Sequence, residues 1–194
     1  MDAFSCAACP RRCGALRKPA QPSGGFCGMP AGFVVARAAL HQWEEPCISG
    51  QHGSGTVFFS GCSLRCVYCQ NQQISLGRYG ALVTEENLLR MFDRLIEQGA
   101  HNLNLVNPTH YAPMLAKALK KYCSPVPVIY NSGGYERVEM LKALEGLVDI
   151  YLPDLKYVDS AVSLRYSGAA DYFDYASKLS LIHISEPTRQ EAIS

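Results

Sequence analysis

Cys62, Cys66 and Cys69 fall within one short stretch, Gly61-Cys62-Ser63-Leu64-Arg65-Cys66-Val67-Tyr68-Cys69-Gln70-Asn71, directly after the apolar run Thr56-Val57-Phe58-Phe59-Ser60. The spacing C-x3-C-x2-C puts three thiolates on a single loop. They can hold three irons of a [4Fe–4S] cluster and leave the fourth without a protein ligand, whereas four-cysteine ferredoxin-type ligation leaves none open. An open iron can bind a reactant, so the pattern points to chemistry. The competing reading is a structural zinc loop, which usually presents two C-x2-C knuckles and a fourth ligand that closes a tetrahedron.

A second cysteine constellation lies near the amino terminus. Cys6-Ala7-Ala8-Cys9-Pro10-Arg11-Arg12-Cys13 is followed by Cys27 within Gly24-Gly25-Phe26-Cys27-Gly28. Four thiols suit either a closed zinc site or an auxiliary [4Fe–4S] cluster, and the spacing leaves both open. A closed centre would staple a segment too small to fold by hydrophobic burial alone. Cys47 and Cys123 stand apart and read as small buried hydrophobes.

The bulk properties narrow the class. Nine cysteines in a chain whose first residues, Met1-Asp2-Ala3-Phe4-Ser5-Cys6, lack the layout of a signal peptide read as metal ligands rather than disulfides. The expected compartment is a reducing cytoplasm. A formal net charge of +1 offers no basic field for nucleic acid and no acidic tail. No run is long and apolar enough to suggest a membrane span. A hydrophobic content of 48% supports a real core.

The elements that must position these thiols alternate strand and helix. Thr56–Ser60 reads as a first strand. Thr84 is an N-cap candidate, with Asn87 where a capping box would prefer Glu or Gln. Leu88, Leu89, Phe92, Leu95 and Ile96 follow at helical spacing until Gly99. Asn102–Val106 is a second strand, His110–Tyr122 a helix, and Val126–Tyr130 a third strand closed by the turn Asn131-Ser132-Gly133-Gly134. Glu136–Leu147 reads as a helix, Val148–Leu152 as a fourth strand, and Ser160–Ser167 as the start of another helix. Repeated βα units imply a parallel sheet whose reactive groups gather at the C-terminal strand ends. The cysteine loop, Asn107-Pro108-Thr109, Asn131-Ser132 and Asp154-Leu155-Lys156 all fall at such ends, which predicts one shared site at one rim. Turn composition alone would also collect Asn, Pro, Asp and Gly there. Residues 1–55 are rich in Pro, Gly, Cys and Arg, and read as a small appended module; Phe33–Leu40 within it is a strand or a short helix.

With Tyr68 one residue before the third cysteine, the loop resembles the signature of the radical S-adenosylmethionine (SAM) superfamily, C-x3-C-x-aromatic-C. The amino-terminal cysteines, the Glu44–Gly50 stretch and the Cys62–Asn71 loop together resemble a prokaryotic branch related to the pyruvate formate-lyase activating enzyme. The resemblance covers residues 6 to 178. It implies a partial (β/α)6 barrel, of which about four βα units are visible here. The core spans 56–178, and its fourth strand is expected to be an unpaired edge.

The resemblance also implies a [4Fe–4S] cluster on Cys62, Cys66 and Cys69, with SAM chelated to the open iron. One electron, from a reduced flavodoxin or ferredoxin-type donor, cleaves SAM to methionine and a 5′-deoxyadenosyl radical. Tyr68 is expected near the adenine. Activating enzymes often carry a Gly-Gly-Glu-type stretch after strand two. Here Asn107-Pro108-Thr109-His110 replaces it, leaving Asn107 and Thr109 as the polar candidates and His110 as a helix-start residue. Asp154-Leu155-Lys156 resembles the Asp-x-Lys motif of glycyl-radical-enzyme activating enzymes, in which the lysine meets the SAM carboxylate. A surface ion pair is the plainer reading of Asp154 and Lys156. Asn131 and Ser132 fall where the family places further polar ligands. The implied substrate is a glycine Cα–H of a glycyl radical enzyme, or another protein or small molecule. A non-catalytic iron–sulfur or zinc protein for electron transfer or binding is the alternative from a different class.

Residues Leu179–Arg189 match, in one reading frame, the translation of a transposase-type sequencing adapter, and Gln190–Ser194 fit an index followed by more adapter. The stretch 179–194 is therefore expected to be foreign to the fold, and the core to be a truncated barrel.

Overall fold

The computed structural model describes residues 2–185. Its strands are β1 (Phe4–Ser5), β2 (Leu16–Arg17), β3 (Phe33–His41), β4 (Ser54–Phe59), β5 (Ala81–Val83), β6 (Leu103–Val106), β7 (Val128–Ser132) and β8 (Ile150–Pro153). The helices are α1 (Pro46–Ser49), α2 (Gln72–Ser75), α3 (Glu85–Glu97), α4 (Ala112–Leu119), α5 (Val138–Lys142), α6 (Ser160–Ser167) and α7 (Tyr172–Ser185), with a 3₁₀ turn at Thr109–Tyr111. The fold is mixed α/β around a parallel-rich sheet, with strand order β5-β3-β4-β6-β7-β8. The four strands from β4 to β8 run parallel, in register Val57–Leu105–Tyr130–Tyr151.

Strand alternation sorts the two faces. Val57 and Phe59, Leu103 and Leu105, and Val128 and Tyr130 join one buried cluster with Leu88, Phe92 and Leu95 of α3 and Leu115, Ala118 and Leu119 of α4. Each such side chain contributes about 1.5–3 kcal/mol by leaving water. The alternate residues Thr56 and Asn104 pair in register on the opposite face and are fully buried. Both polar atoms of the Asn104 amide lack a protein partner, so this inner face is polar and suited to water or a ligand. Helix α3 starts as its sequence predicts: the Thr84 hydroxyl accepts the Asn87 N–H at 3.1 Å.

Several boundaries differ from the sequence reading. Phe33–His41 is a strand, because it pairs antiparallel with both β4 and β5. The expected boundary at residue 55 therefore falls inside a β3–β4 hairpin, and Cys27, Met29 and Phe33 belong to the main core. Asn131 and Ser132 are the last residues of β7 rather than a turn, since Asn131 and Ser132 pair with Leu152 and Pro153 of β8. The helix expected over Glu136–Leu147 is confined to Val138–Lys142; the Glu136 side chain is drawn instead into polar contacts on the rim. Cys47 and Cys123 are exposed, not buried. Helix α7 continues past Leu179, which is 3% exposed, while residues 186–194 of the expected foreign tail lie outside the described residues. Among the described residues, no helix is long and apolar enough to cross a membrane.

Candidate functional site

The cysteine loop leaves β4 at its C-terminal end through Gly61, with φ at +80°. A Cβ there would lie 2.5 Å from Met29 Cγ and 3.0 Å from both the Cys27 carbonyl oxygen and His110 Nε2. No other residue fits this exit without displacing the core, so the loop begins at a fixed point. Leu64 then buries itself in a second, tyrosine-rich core with Cys66, Tyr135, Tyr157 and Tyr172. Arg65 adopts a left-handed conformation, φ +52°, and its N–H and that of Leu64 address the Cys62 sulfur, Leu64 at 3.3 Å. Ser167 donates to the Cys66 sulfur at 3.0 Å.

These donors test whether the loop suits an iron cluster. Burial raises the Cys62 thiol above its ordinary range, and the neighbouring Cys66 and Cys69 raise it further, so the three groups share one electrostatic environment. Bound cations reverse that preference and keep sulfur as thiolate. Backbone N–H groups and a hydroxyl aimed at sulfur are what a thiolate needs. Among the described residues, no three ligating side chains close on one point as for a single ion. A [4Fe–4S] cluster takes each cysteine on a different iron, so bordering one space suffices. The donor set fits.

The other strand ends converge on the same rim. Asn107, in a left-handed bend at φ +59°, donates its side-chain amide to the Gly61 carbonyl and its N–H to Asn131 O at 2.8 Å. The Asp154 N–H donates to Ser132 O at 2.9 Å. Gly134, at φ +75°, would place a Cβ 2.1 Å from Asp154 O, so β7 and β8 exits can meet only with glycine there. Tyr172 pins the same junction: its hydroxyl is 2.9 Å from Gly133 O and 2.7 Å from Asp154 O, and accepts the Lys156 N–H at 2.9 Å. Lys156 pairs with the Asp154 carboxylate. Burial alone would lower the Lys156 ammonium, but the Asp154 bond and charge, with Cys66 and Tyr68 nearby, raise it instead. It stays a cation facing the cysteine loop. Tyr68 is half-exposed and donates to the Tyr157 hydroxyl at 2.6 Å.

Thr109 and Ser132 do meet, through a residue the sequence reading did not single out as part of the site. Glu136 is 1% exposed; it accepts from the Thr109 hydroxyl and from Tyr130 at 3.2 Å, with Ser132 also bonded to it. Burial pushes its carboxyl up to about 7, against the lowering effect of those three hydroxyls. The signal that could have found it is an acid two residues after the Gly133-Gly134 turn. His110 is wholly buried on the 3₁₀ turn. Its Nε2 lies 2.8 Å from Ser60 O, and burial lowers it to about 3, so it is a neutral ring donating to that carbonyl.

The amino-terminal cysteines form a second group. Cys6, Cys9 and Cys13 lie on the connection between the paired β1 and β2, and Cys27 comes from the next turn. Burial pushes the Cys9 thiol up to about 12, with Cys27, Cys6 and Cys13 adding to the rise, so all four are neighbours. Arg17, fully buried, donates to Cys27 Sγ at 3.3 Å.

A profile of the Radical SAM superfamily matches residues 56–179, more than half of the chain. This chain belongs to the radical SAM superfamily. Membership implies a [4Fe–4S] cluster and SAM. The superfamily match begins within β4, so β1, β2, β3 and the amino-terminal cysteines lie outside what it describes, while β5 lies within it. The chain is also 29% identical over 186 residues to Uncharacterized protein MJ0674 of Methanocaldococcus jannaschii, covering 92% of this chain and 53% of that protein. The chain thus spans about half the length of that relative.

Proposed function

We propose that this protein is an enzyme that cleaves SAM reductively and delivers a 5′-deoxyadenosyl radical to a C–H bond of its substrate. The observation that carries this reading is the Cys62–Cys69 loop at the end of the first parallel strand, with N–H and O–H donors already directed at its sulfurs. Cys62, Cys66 and Cys69 would hold a cluster there, and it would supply one electron to the sulfonium, taken from a reduced flavodoxin or ferredoxin-type donor.

The remaining work belongs to the rim. The Lys156 ammonium, oriented by Asp154, is suited to the SAM carboxylate. Asn107 and Asn131 present polar groups at the neighbouring strand ends, and Glu136 holds the Thr109 and Ser132 hydroxyls in fixed directions. With its proton committed to Glu136, the Thr109 hydroxyl oxygen is left as an acceptor, while the Ser132 oxygen already accepts the Gly134 N–H; such an acceptor favours an ammonium such as that of SAM. Tyr68 lies beside the third cysteine, where an adenine would sit. The glycine of a glycyl radical enzyme is the substrate class proposed from the Asp154-x-Lys156 arrangement, and the amino-terminal cysteines are proposed as a second iron or zinc centre.

Electron paramagnetic resonance of the anaerobically reconstituted, reduced protein tests the reading. A [4Fe–4S]⁺ signal that shifts on adding SAM and vanishes in Cys62→Ala supports it. A cluster signal indifferent to SAM sinks it in favour of electron transfer.

A further inference from the structure

Cys66 sits at the end of a line of hydroxyl groups. Tyr68 donates to Tyr157 at 2.6 Å, the Tyr157 and Ser167 hydroxyls are 2.6 Å apart, and Ser167 donates to Cys66 Sγ at 3.0 Å. Proton counting fixes the direction. A thiolate sulfur can only accept, so the single Ser167 proton goes to Cys66. Tyr157 must then donate to Ser167, and Tyr68 to Tyr157. Every bond in the series therefore points toward the sulfur, and each donor strengthens the next.

Ser167 is held there from a distant part of the chain. It is the last residue of α6, and Gly168 follows in the left-handed conformation that ends the helix. The carbonyls at such an end have no partner within the helix. Arg11, from the Cys9–Cys13 turn, supplies them: Nη2 donates to Ser167 O at 2.7 Å and Nη1 to Gly168 O. Its Nε donates at 2.8 Å to Ser63 O, inside the cysteine loop itself. The guanidinium lies over the Phe26 ring at 4.0 Å. One rigid fork thus locks the end of α6 against the loop and keeps the Ser167 hydroxyl over Cys66.

We propose that Ser167, positioned by Arg11 and backed by Tyr157, sets the reduction potential of the cluster held through Cys66. The inference rests on the reading of Cys66 as an iron ligand. A donor to a ligand sulfur stabilises the more negative, reduced cluster and so raises its potential. Through Arg11, the amino-terminal cysteine segment takes part in tuning the catalytic centre without contributing a ligand to it.

The test is a potentiometric titration of the reconstituted full chain without SAM, followed by electron paramagnetic resonance. Ser167→Ala should shift the one-electron equilibrium about tenfold toward the oxidised form, about 59 mV more negative. Ser167→Thr, which keeps the hydroxyl, should restore the wild-type midpoint. Tyr157→Phe, which leaves the bond to sulfur but removes the donor behind it, should move the midpoint the same way by less. An unchanged midpoint in Ser167→Ala at wild-type iron content overturns the proposal. Where Ser167→Ala fails to hold a cluster, an unchanged midpoint in Tyr157→Phe overturns it. A wild-type protein that forms no reducible cluster would instead strike at the assignment of Cys66.

Discussion

The two cysteine groups meet different surroundings. The loop thiols of Cys62 and Cys66 accept from neutral donors, a backbone N–H and a serine hydroxyl, beside the exposed Val67 and Tyr68, and the nearby Lys156 cation is already answered by the Asp154 carboxylate. Of the amino-terminal thiols, Cys6, Cys9 and Cys27 are buried and Cys13 is exposed, and the buried neighbour of Cys27 is a cation. Arg17 is 1% exposed, one of its terminal nitrogens has no partner, and no carboxylate is paired with it among the described residues. A guanidinium remains charged in a protein, and a buried charge needs a counter-charge. A metal bound by several thiolates would carry the negative charge to answer it. The comparison teaches that thiol count alone does not define a centre: neutral donors and a paired cation at an open rim suit a centre that meets a reactant, while mostly buried thiols beside an unpaired cation suit one that is closed.

The strongest challenge to this contrast is a pair of substitutions. Cys66→Ala should abolish the SAM-responsive signal altogether. Cys9→Ala should reduce metal content and thermal stability but keep that signal. Loss of the SAM response in both would erase the distinction between the groups.

Glu136 sharpens the contrast from the protein side, because the acid is buried under the strand ends that carry Thr109 and Ser132. Its carboxyl ionises at 4.5 ordinarily and at about 7 in the fold. The folded protein therefore holds a proton that the unfolded chain has released, and this group removes stability as pH rises from 4.5 to about 7. The effect is on the order of 3 kcal/mol. His110 acts oppositely, removing stability as pH falls from 6.5 to about 3. The readout is thus the difference between wild type and Glu136→Gln in denaturant unfolding at pH 5 and pH 8. That difference should grow in favour of the variant at the higher pH; a constant difference would exclude Glu136 as the titrating group.

Lys156→Ala tests the loop side alone. Loss of one charge-assisted contact, about 1.5–3 kcal/mol, should weaken SAM binding roughly 10- to 100-fold while iron content stays unchanged. Calorimetry with SAM would show it, and undiminished affinity would remove Lys156 from the site. The smallest effect is expected from Thr84→Ala, which loses the α3 cap bond at 3.1 Å. It should cost about 1 kcal/mol in unfolding experiments and leave both cysteine groups spectroscopically unaltered. A change in the cluster signal would mean that α3 communicates with the rim.

Much of this was legible in sequence, and the reason is local. Three thiols separated by two and three residues must share a loop wherever that loop goes. Leu88, Phe92 and Leu95 share a helix face because of the 3.6-residue period. Thr84 caps through the N–H of Asn87 three residues on. The parallel strands also followed from alternation of apolar runs and helical spacing. Phe33–His41 was ambiguous because its strand character depends on two partners, β4 and β5, that flank it in space.

The residues that complete the site act across long separations. Ser167 reaches Cys66 across 101 residues, Arg11 reaches Ser167 across 156, and Thr109 reaches Glu136 across 27. None of these pairs is implied by spacing along the chain, since closing such distances depends on how every intervening strand and helix packs. The sequence by itself determined the kind of chemistry, through the number, spacing and strand-end position of Cys62, Cys66 and Cys69. The tertiary structure decided which donors meet their sulfurs, how Glu136 is buried among hydroxyls, and that the amino-terminal segment is joined to the sheet and to the cysteine loop. Ligand spacing is a property of a few bonded neighbours; the surroundings that tune the ligands exist only once the chain has closed on itself.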